Sequence, residues 1–195
     1  MRPRPGSARR FEQWSKKYDR SPMQRFLFEP VQAAALDAAG TQSFDVVLDV
    51  GCGTGKLLAS ALQRWPRAHA TGVDPAFGMA TRAAATLPSA VIVVAQAEHL
   101  PLPDASVDLA LSTISLHHWH DRDRGIAEVA RVLRPGGRFV LADLLLAPWV
   151  ARLAGDEPYW DEGARERAFD RAGLVVGGHR AMRSRGTLLT VGVKP

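Results

Sequence analysis

The sequence predicts an α/β fold in which buried strands alternate with helices. The apolar run Val46–Val50 enters a glycine-rich turn, and a helical pattern of apolar residues follows over 57–65. Asp49 and Asp74 stand at the ends of two such strands, and their separation matches one strand–helix–strand unit with parallel strands. The run Val91–Ala95 is nearly all β-branched, which predicts a strand buried on both faces. A mostly parallel sheet with helices packed beside it accounts for all three observations.

Length and composition predict one ordinary globular domain. The chain has 195 residues, of which 46% are hydrophobic and 23% are charged, enough to bury a core. Its one cysteine, Cys52, excludes an internal disulfide and fits a reducing compartment. No apolar run reaches membrane-spanning length, and the N-terminus lacks the apolar core of a signal peptide. We therefore expect a cytoplasmic protein with no membrane span.

The positive charge is concentrated at the N-terminus. The formal net charge is +5, but residues 1–25 hold eight Lys or Arg and two acidic residues, so the rest of the chain is close to neutral. A basic arm of this kind can bind nucleic acid or anionic lipid, or it can be a solvated end. We favour the solvated end, because a basic run alone is a weak signal of binding.

The front of the chain predicts two short helices before the first strand. One carries an aromatic face formed by Phe11, Trp14 and Tyr18, and the other covers 31–38 and ends at Gly40. The aromatic face could lie across a ligand cleft as a lid, or it could pack on the body. We accordingly divide the chain into a basic arm and helical lid over 1–43 and a binding domain over 44–195.

The glycine turn after the first strand predicts a ligand site. A helix that begins near Thr54 directs unpaired N–H groups and a positive dipole end at whatever lies over the turn. A dinucleotide fingerprint fails because its third glycine position is Lys56. A phosphate-binding P-loop fails because Lys56 is followed by leucine and its first glycine position is a valine. A turn that binds nothing is the plain alternative, and a catalytic thiol at Cys52 is less favoured than a small turn residue.

The pattern Asp49-x-Gly51-x-Gly53-x-Gly55 resembles the first motif of class I S-adenosylmethionine-dependent methyltransferases. The resemblance implies that this acid and turn hold the methionine end of the cofactor. It also favours Asp74 as the acceptor for both ribose hydroxyls over its alternative role as a cap of the following helix.

Two further stretches resemble the same family, particularly the type 11 branch that includes ubiquinone and menaquinone biosynthesis enzymes. Residues 96–104 resemble its D-A-E-x-L-P-F loop, where an acid usually meets the adenine amino group, but this chain has Gln96 there. An amide oxygen can still accept from that amine. Residues 128–137 match E-x-x-R-V-L-R-P-G-G, whose role in the family is architectural, with the Pro135–Gly137 turn returning the chain into the sheet.

The fourth predicted strand, 107–111, runs into Thr113 and a group of histidines. The backbone after this strand passes the sulfonium centre in the family, and the following residues face the acceptor. His117 and His120 could share a helical face, but their spacing matches no recognised metal-ligand pattern, so we predict no metal. His117, and Asp143 at the end of the fifth strand, are candidates for a general base, although a histidine held by backbone hydrogen bonds is an equal alternative.

The family resemblance extends over residues 40–193 and implies the fold and the function. The fold is a Rossmann-like, doubly wound sheet of seven mostly parallel strands, with helices on both faces and an antiparallel last strand. Segments 174–176 and 187–193 supply the closing strands, with turns at Gly177–Gly178 and 183–186. Residues implied to bind S-adenosylmethionine are Asp49, Gly51, Cys52, Gly53, Thr54, Gly55, Asp74, Pro75, Met79, Gln96, Ala97, Glu98 and Thr113.

The reaction implied is methyl transfer to an O, N or C nucleophile of a small molecule. A non-catalytic S-adenosylmethionine-binding scaffold is one alternative, supported by Gln96 and by the short link over 144–160, which leaves little room for a substrate cap. An RNA or protein methyltransferase that uses the basic arm is another. We expect a small-molecule acceptor and no nucleic-acid partner, while a homodimer stays open.

Overall fold

The computed structural model describes residues 24–145, 161–182 and 186–195, which form a seven-stranded sheet. The strands are β1 (Val46–Val50), β2 (His69–Val73), β3 (Val91–Val93), β4 (Val107–Thr113), β5 (Leu133–Leu144), β6 (Val175–Met182) and β7 (Thr187–Val193). Their order across the sheet is β3-β2-β1-β4-β5-β7-β6, and β7 alone runs antiparallel to its neighbours. The predicted sheet, mostly parallel with an antiparallel last strand, is confirmed.

Helices precede or follow most of the strands along the chain. They are α1 (Glu29–Ala39), which continues a π-helical turn (Gln24–Phe28), α2 (Lys56–Arg64), α3 (Phe77–Thr86), α4 (Arg122–Val132) and α5 (Glu162–Arg171), with a 3₁₀ turn at Leu116–His118. Asp121 and Asp161 cap α4 and α5, because each carboxylate accepts from the N–H three residues later. Within the described ranges, no helix combines the length and apolar character needed to cross a membrane.

The core has two halves, one on each face of the sheet. Successive side chains of a strand point to opposite faces, so Val47 enters one half while Leu48 and Val50 enter the other. Helices α4 and α5 cover the face of Leu48, and α1 and α2 cover the face of Val47. Because helices cover both faces of the sheet, a ligand can reach the sheet only at the ends of its strands.

Strand β3 is not buried on both faces, contrary to the prediction from Val91–Ala95. It is only three residues long and forms one edge of the sheet, and Val91 and Val94 are 63% and 49% exposed. The prediction was wrong because β-branched composition does not distinguish a central strand from an edge strand. Strand β2 pairs with one side of β3, and no described strand pairs with the other.

Two predicted turns are also different in the structure. Gly177 and Gly178 lie inside β6, where the register against β7 shifts and Gly177 is the extra residue of a bulge. The chain enters the sheet at Leu133, directly after α4, so Pro135–Gly137 forms an irregular part of β5. In both places glycine accommodates a bulge. Glycine is typical of bulges and of turns, so the sequence does not distinguish the two.

Some predictions fall outside the described residues. The aromatic face of Phe11, Trp14 and Tyr18, most of the link over 144–160 and the turn residues 183–185 are among them. Helix α1 lies inside the predicted lid segment 1–43, and its Val31 and Ala35 are fully buried in the core. The division of the chain at residue 43 stays a prediction.

Candidate functional site

The glycine turn joins β1 to α2 at the carboxyl edge of the sheet, where open parallel sheets place their ligands. Gly51 has a φ of +78°, and a Cβ there would lie 1.9 Å from Ser115 Oγ, so the position requires glycine. The N–H groups of Gly51 and Cys52 donate to Val73 O at 2.8 and 3.0 Å and tie the turn to β2. Gly55, with left-handed backbone, precedes α2, and no side chain caps the first N–H groups of this helix.

Asp74 links the end of β2 to the glycine turn. One carboxylate oxygen accepts from Gly53 N at 2.9 Å and the other from Ala76 N at 2.8 Å. Burial raises the pKa of Asp74, and these two N–H groups oppose that rise. The predicted capping role is thus present, because Ala76 directly precedes α3. Each carboxylate oxygen still has lone-pair capacity for a hydroxyl donor, so this contact does not exclude the ribose role.

Asp49 is a buried carboxyl group whose hydrogen bonding is incomplete. It is 1% exposed, and its Oδ2 has no hydrogen-bond partner within the described chain. Burial, together with the nearby charge of Asp74, raises the pKa of Asp49 to about 8. A buried carboxyl in this state either holds a proton or pairs with a cation. A cation placed beside Oδ2 would replace that proton.

Cys52 does not behave as a reactive thiol. Burial raises the pKa of its thiol, and Asp49 and Asp74 raise it further, so the thiolate is suppressed. A Cβ at Gly72 would lie 2.9 Å from Cys52 Sγ, which shows how closely the thiol packs on β2. These contacts favour a small turn residue over a catalytic thiol.

The loop after β3 contributes Gln96, Ala97 and Glu98. Gln96 is exposed, whereas Ala97 and Glu98 are buried. Glu98 Oε1 accepts from the N–H groups of His120 and Asp121 at 2.7 and 3.0 Å. Glu98 therefore joins this loop to the loop that follows β4 and closes one end of the site.

A pair on α4, Glu128 and Arg131, holds the continuation of the same loop. Leu100 N–H donates to Glu128 Oε2 at 2.9 Å, and Arg131 donates to the carbonyl oxygens of Leu100 and Leu102 at 3.0 Å each. The Arg131 hydrogen bond lowers the pKa of Glu128 and keeps it ionised. The E-x-x-R part of the predicted motif thus anchors the loop that carries Gln96, a role that the sequence analysis did not identify.

The segment after β4 forms the opposite wall of the site. Ile114 has a φ of +51°, an uncommon backbone conformation for a β-branched residue. Its N–H donates to Ala142 O at 2.7 Å, and Trp119 Nε1 donates to Ser115 Oγ at 3.0 Å. These bonds fix Ile114 to β5 and Ser115 to Trp119, and Ser115 lies directly beside Gly51 of the glycine turn. Backbone strain of the kind at Ile114 concentrates at functional sites.

His117 and Asp143 form a hydrogen-bonded pair beside this wall. His117 Nδ1 lies 2.7 Å from Asp143 Oδ1, and His117 N–H donates to Asp143 Oδ2 at 3.2 Å. Burial would raise the pKa of Asp143, but the charge and hydrogen bond of His117, with the charge of Arg165 and the N–H of Leu144, hold it below its usual range. The sequence singled out both residues, and the structure brings them into contact because β4 and β5 are neighbours.

Arg165 on α5 is a fully buried cation next to this pair. It is 0% exposed and donates to Leu188 O at 2.6 Å and to Asp143 O at 3.3 Å. Sequence reasoning missed Arg165, because an arginine in a polar helix normally faces solvent.

A cleft at the carboxyl edge collects most of the residues predicted to bind the cofactor. Those that line it are Gly51, Gly53, Asp74, Pro75, Met79, Gln96, Ala97, Glu98 and Thr113. The other predicted residues, Asp49, Cys52, Thr54 and Gly55, lie in β1 and the glycine turn and do not line the cleft. The two candidates for a general base, His117 and Asp143, do not line it either. Lining residues not predicted to bind the cofactor are Val50, Val73, Ala76, Ala95, Ile114, Ser115, His118, Trp119 and His120. Several of these additional lining residues directly follow the predicted end of a strand. Their position after a strand is the sequence signal from which they could have been predicted.

These residues fit the chemistry of S-adenosylmethionine. The unpartnered oxygen of Asp49 suits an ammonium group, and the uncapped N-terminus of α2 suits a carboxylate. Asp74 suits ribose hydroxyls, and Met79 and Ala97 add apolar surface for the rest of the nucleoside.

Comparison with known proteins supports the family resemblance. The family described as a methyltransferase domain, type 11, matches residues 48–141, which include the glycine turn, Asp74 and the loop of Gln96. An uncharacterized methyltransferase of Geobacillus kaustophilus is 34% identical over 144 residues, 68% of this chain and 64% of that protein. The 27-O-demethylrifamycin SV methyltransferase of Amycolatopsis mediterranei is 40% identical over 118 residues, 57% of this chain and 43% of that protein.

A solved structure shares the whole fold. The methyltransferase of Haloferax volcanii, solved in complex with the Trm112 methyltransferase activator, superposes with a TM-score of 0.83. The match covers 95% of this chain and 97% of that chain at 24% sequence identity, so it supports the fold alone. Among the curated relatives, the chain spans from 37% to 64% of their length.

Proposed function

We propose that this chain, which belongs to the type 11 branch of the class I S-adenosylmethionine-dependent methyltransferases, transfers a methyl group to an O, N or C nucleophile of a small molecule. S-adenosylmethionine is the cofactor of this family. The unpartnered, buried Oδ2 of Asp49 at the glycine turn is the observation that carries the proposal for this chain. It leaves a buried carboxyl that holds a proton in the free protein, and a cationic ligand group would replace that proton.

The binding roles follow from what each group offers. The first N–H groups of α2 bind a carboxylate, Asp49 binds an ammonium group, and Asp74 accepts from ribose hydroxyls while it holds Gly53 and Ala76. Gln96 offers an amide oxygen to the adenine amine. When bound, the cofactor supplies an electrophilic methyl group on a sulfonium. The chain's contribution is to align the acceptor with that methyl group and to exclude water.

Equilibrium binding of S-adenosylmethionine and S-adenosylhomocysteine by the full chain tests this proposal. We expect micromolar binding that Asp74→Asn weakens about 10- to 100-fold, because a charge-assisted hydrogen bond contributes roughly 1.5–3 kcal/mol. Asp170→Asn, an exposed position on α5, is the matched control and should bind as the wild type does. Thermal unfolding of each variant checks folding. Folded wild-type protein that binds neither ligand would refute the proposal.

A macromolecular acceptor is the second candidate, and the eight Lys or Arg of residues 1–25 favour it. Replacement of Arg2, Arg4, Arg9 and Arg10 by Gln in the full chain removes half of that charge. Labelled methyl transfer into bulk RNA and protein is the readout. With a small-molecule acceptor neither pool gains label, whereas label that the four substitutions abolish would favour the macromolecular acceptor.

The cytoplasmic location is part of the same proposal. It is supported by Cys52, the one cysteine of the chain, which is a buried free thiol and not a disulfide partner.

A further inference from the structure

We propose that the free edge of β3 is a dimer interface, at which β3 pairs antiparallel with β3 of a second copy of this chain. The pairing goes beyond the proposed function. Its expected effect on cofactor binding rests on that function, because β3 leads directly into the loop that lines the cleft.

The free edge of β3 presents main-chain groups that a second strand can pair. Val93 O accepts from Asp74 N–H at 3.2 Å, so the main-chain groups of Val93 face β2. Main-chain groups of successive residues in a strand point in opposite directions, so those of Ile92 and Val94 point away from β2. No described strand lies on that side. With Val93 on a two-fold axis, Ile92 of each copy lies opposite Val94 of the other, and the two residues exchange both hydrogen bonds.

Helices leave this corner of the sheet uncovered. Thr71 of β2 pairs with both Leu48 and Val91, so these three side chains lie on the face that α4 and α5 cover farther along the sheet. Residues 94–106, between β3 and β4, form no helix that could cover Val91. Val91 is consequently 63% exposed, and Val94, just after the end of β3, is 49% exposed. The two valines form an apolar strip that a partner strand would bury.

The edge of β3 lacks the features that normally prevent an edge strand from pairing, which are charged side chains, proline and bulges. Residues 83–97, which include β3 and the end of α3, contain no charged side chain, and β3 has neither a proline nor a bulge. The other edge of the same sheet is protected, because β6 has a bulge at Gly177, an exposed Arg180 and a hydrogen bond from His179 to Glu166. The contrast within one sheet indicates that β3 is the edge that accommodates a partner.

The absence of charge favours a second copy as that partner. A two-fold axis at Val93 places the residues of β3 close to their own counterparts, so any charge on the strand would face a like charge. Residues 83–97 carry no charge that could be repelled, and α3, which packs beside β3, adds only Arg82. Because the edge of β6 is protected, β3 does not pair head to tail with β6, and association closes at two copies.

Pairing of β3 also acts on the cleft. Val94 lies two residues before Gln96, which lines the cleft together with Ala97 and Glu98. A second strand that binds the main chain at Ile92 and Val94 restricts the start of this loop. It thereby lowers the conformational entropy that cofactor binding must remove. By linkage, the cofactor in turn strengthens the dimer.

Sedimentation equilibrium of the full chain from about 1 to about 200 μM tests the dimer. The interface is small, so we expect a reversible monomer–dimer equilibrium with a Kd of about 10–100 μM. Val94→Lys should weaken it at least about 10-fold, because the two lysines meet across the axis. Val175→Lys is the matched control, since Val175 is 60% exposed on the β6 edge and its substitution should leave the Kd unchanged. Thermal unfolding of each variant checks folding.

A charge exchange tests whether β3 pairs with itself. Val94→Lys and Val94→Glu should each self-associate at least about 10-fold more weakly than the wild type, whereas their equimolar mixture should form a heterodimer within about 3-fold of the wild-type affinity. A monomer at every concentration, a Val94→Lys dimer as strong as the wild type, or a mixture that does not associate would overturn the inference. An equal loss in Val175→Lys would also overturn it, because the contact would then not be specific to β3.

Hydrogen exchange of the wild type tests the pairing without any variant. The amides of Ile92 and Val94 should exchange about 2- to 7-fold more slowly at about 200 μM than at about 1 μM, because the edge is then free only in the remaining monomer. Equal exchange of both amides at the two concentrations would overturn the pairing even if every variant misfolded.

Sedimentation equilibrium with saturating S-adenosylhomocysteine tests the coupling to the cleft. We expect the ligand to tighten the dimer Kd about 3- to 10-fold. The same Kd with and without bound ligand would overturn the coupling. If the wild type binds no S-adenosylhomocysteine, the proposed function fails while the dimer measurements stand, so the two failures are distinguishable.

Discussion

Asp49 and Asp143 are both buried, yet their pKa values move in opposite directions. Burial and the neighbouring Asp74 raise the pKa of Asp49 to about 8. At Asp143 burial acts in the same sense, but His117 and Arg165 outweigh it and lower the pKa. Two carboxyls that differ in this way suit different roles, the first as a site completed by a ligand cation and the second as a permanent anion.

The raised pKa of Asp49 makes the stability of the free protein depend on pH. The folded state holds this proton up to about pH 8 and the unfolded state only to about pH 3.8, so stability from this group falls as pH rises between them. Asp49→Asn removes that titration. We expect the unfolding free energy of Asp49→Asn minus that of the wild type to increase with pH, by at most about 1.4 kcal/mol per pH unit.

Denaturant unfolding at pH 5, 7 and 9 without ligand measures this effect. Asp45→Asn, at an exposed position just before β1, is the control and should follow the wild type. The gain in stability should accompany a loss of S-adenosylhomocysteine affinity, because function requires the charge that folding disfavours. Parallel pH curves for Asp49→Asn and wild type would show that Asp49 does not carry a raised pKa.

At the scale of elements, α4 positions the loop that follows β3. Glu128 and Arg131 bind three backbone groups of that loop, and Arg131 also reaches Asp104 at 2.6 Å. The side chains of Glu128 and Arg131 are 22% and 31% exposed, so the ion pair itself contributes little, and the bonds to the backbone carry the effect.

Glu128→Gln should loosen this loop. We expect a loss of about 1 kcal/mol in unfolding free energy and a 3- to 10-fold weaker affinity for S-adenosylhomocysteine, since the loop also carries Gln96, Ala97 and Glu98. Thermal unfolding and calorimetric titration measure the two effects. Glu166→Gln is the control, because Glu166 is 60% exposed and pairs with His179. Affinity equal to wild type in folded Glu128→Gln would contradict the positioning role.

At the scale of the whole molecule, the sheet and the main wall of the cleft were predictable. Strand composition, helical periodicity and the glycine turn are local signals, and the parallel pairing of β1 with β2 follows from the strand–helix–strand unit. The edge position of β3 was not predictable, because it depends on which strands pair. The glycines of β6 were misread because a bulge and a turn use the same residue type.

The contacts within the site were less predictable than its outline. The sequence indicated His117 and Asp143 separately, but their contact depends on β4 lying next to β5. Glu98 was predicted to bind the cofactor, but nothing in the sequence indicated that its carboxylate also accepts from the N–H groups of His120 and Asp121. Such pairs join residues distant in sequence, so only the assembled sheet reveals them.

The central claim is that a cation of the cofactor replaces the proton on Asp49. Calorimetric titration of S-adenosylhomocysteine into the full chain at pH 7, in Tris and in phosphate, tests it most directly. Because the pKa of Asp49 is about 8, we expect micromolar binding with release of close to one proton, and therefore a more exothermic titration in Tris. No binding, or binding with the same heat in both buffers, would contradict the account.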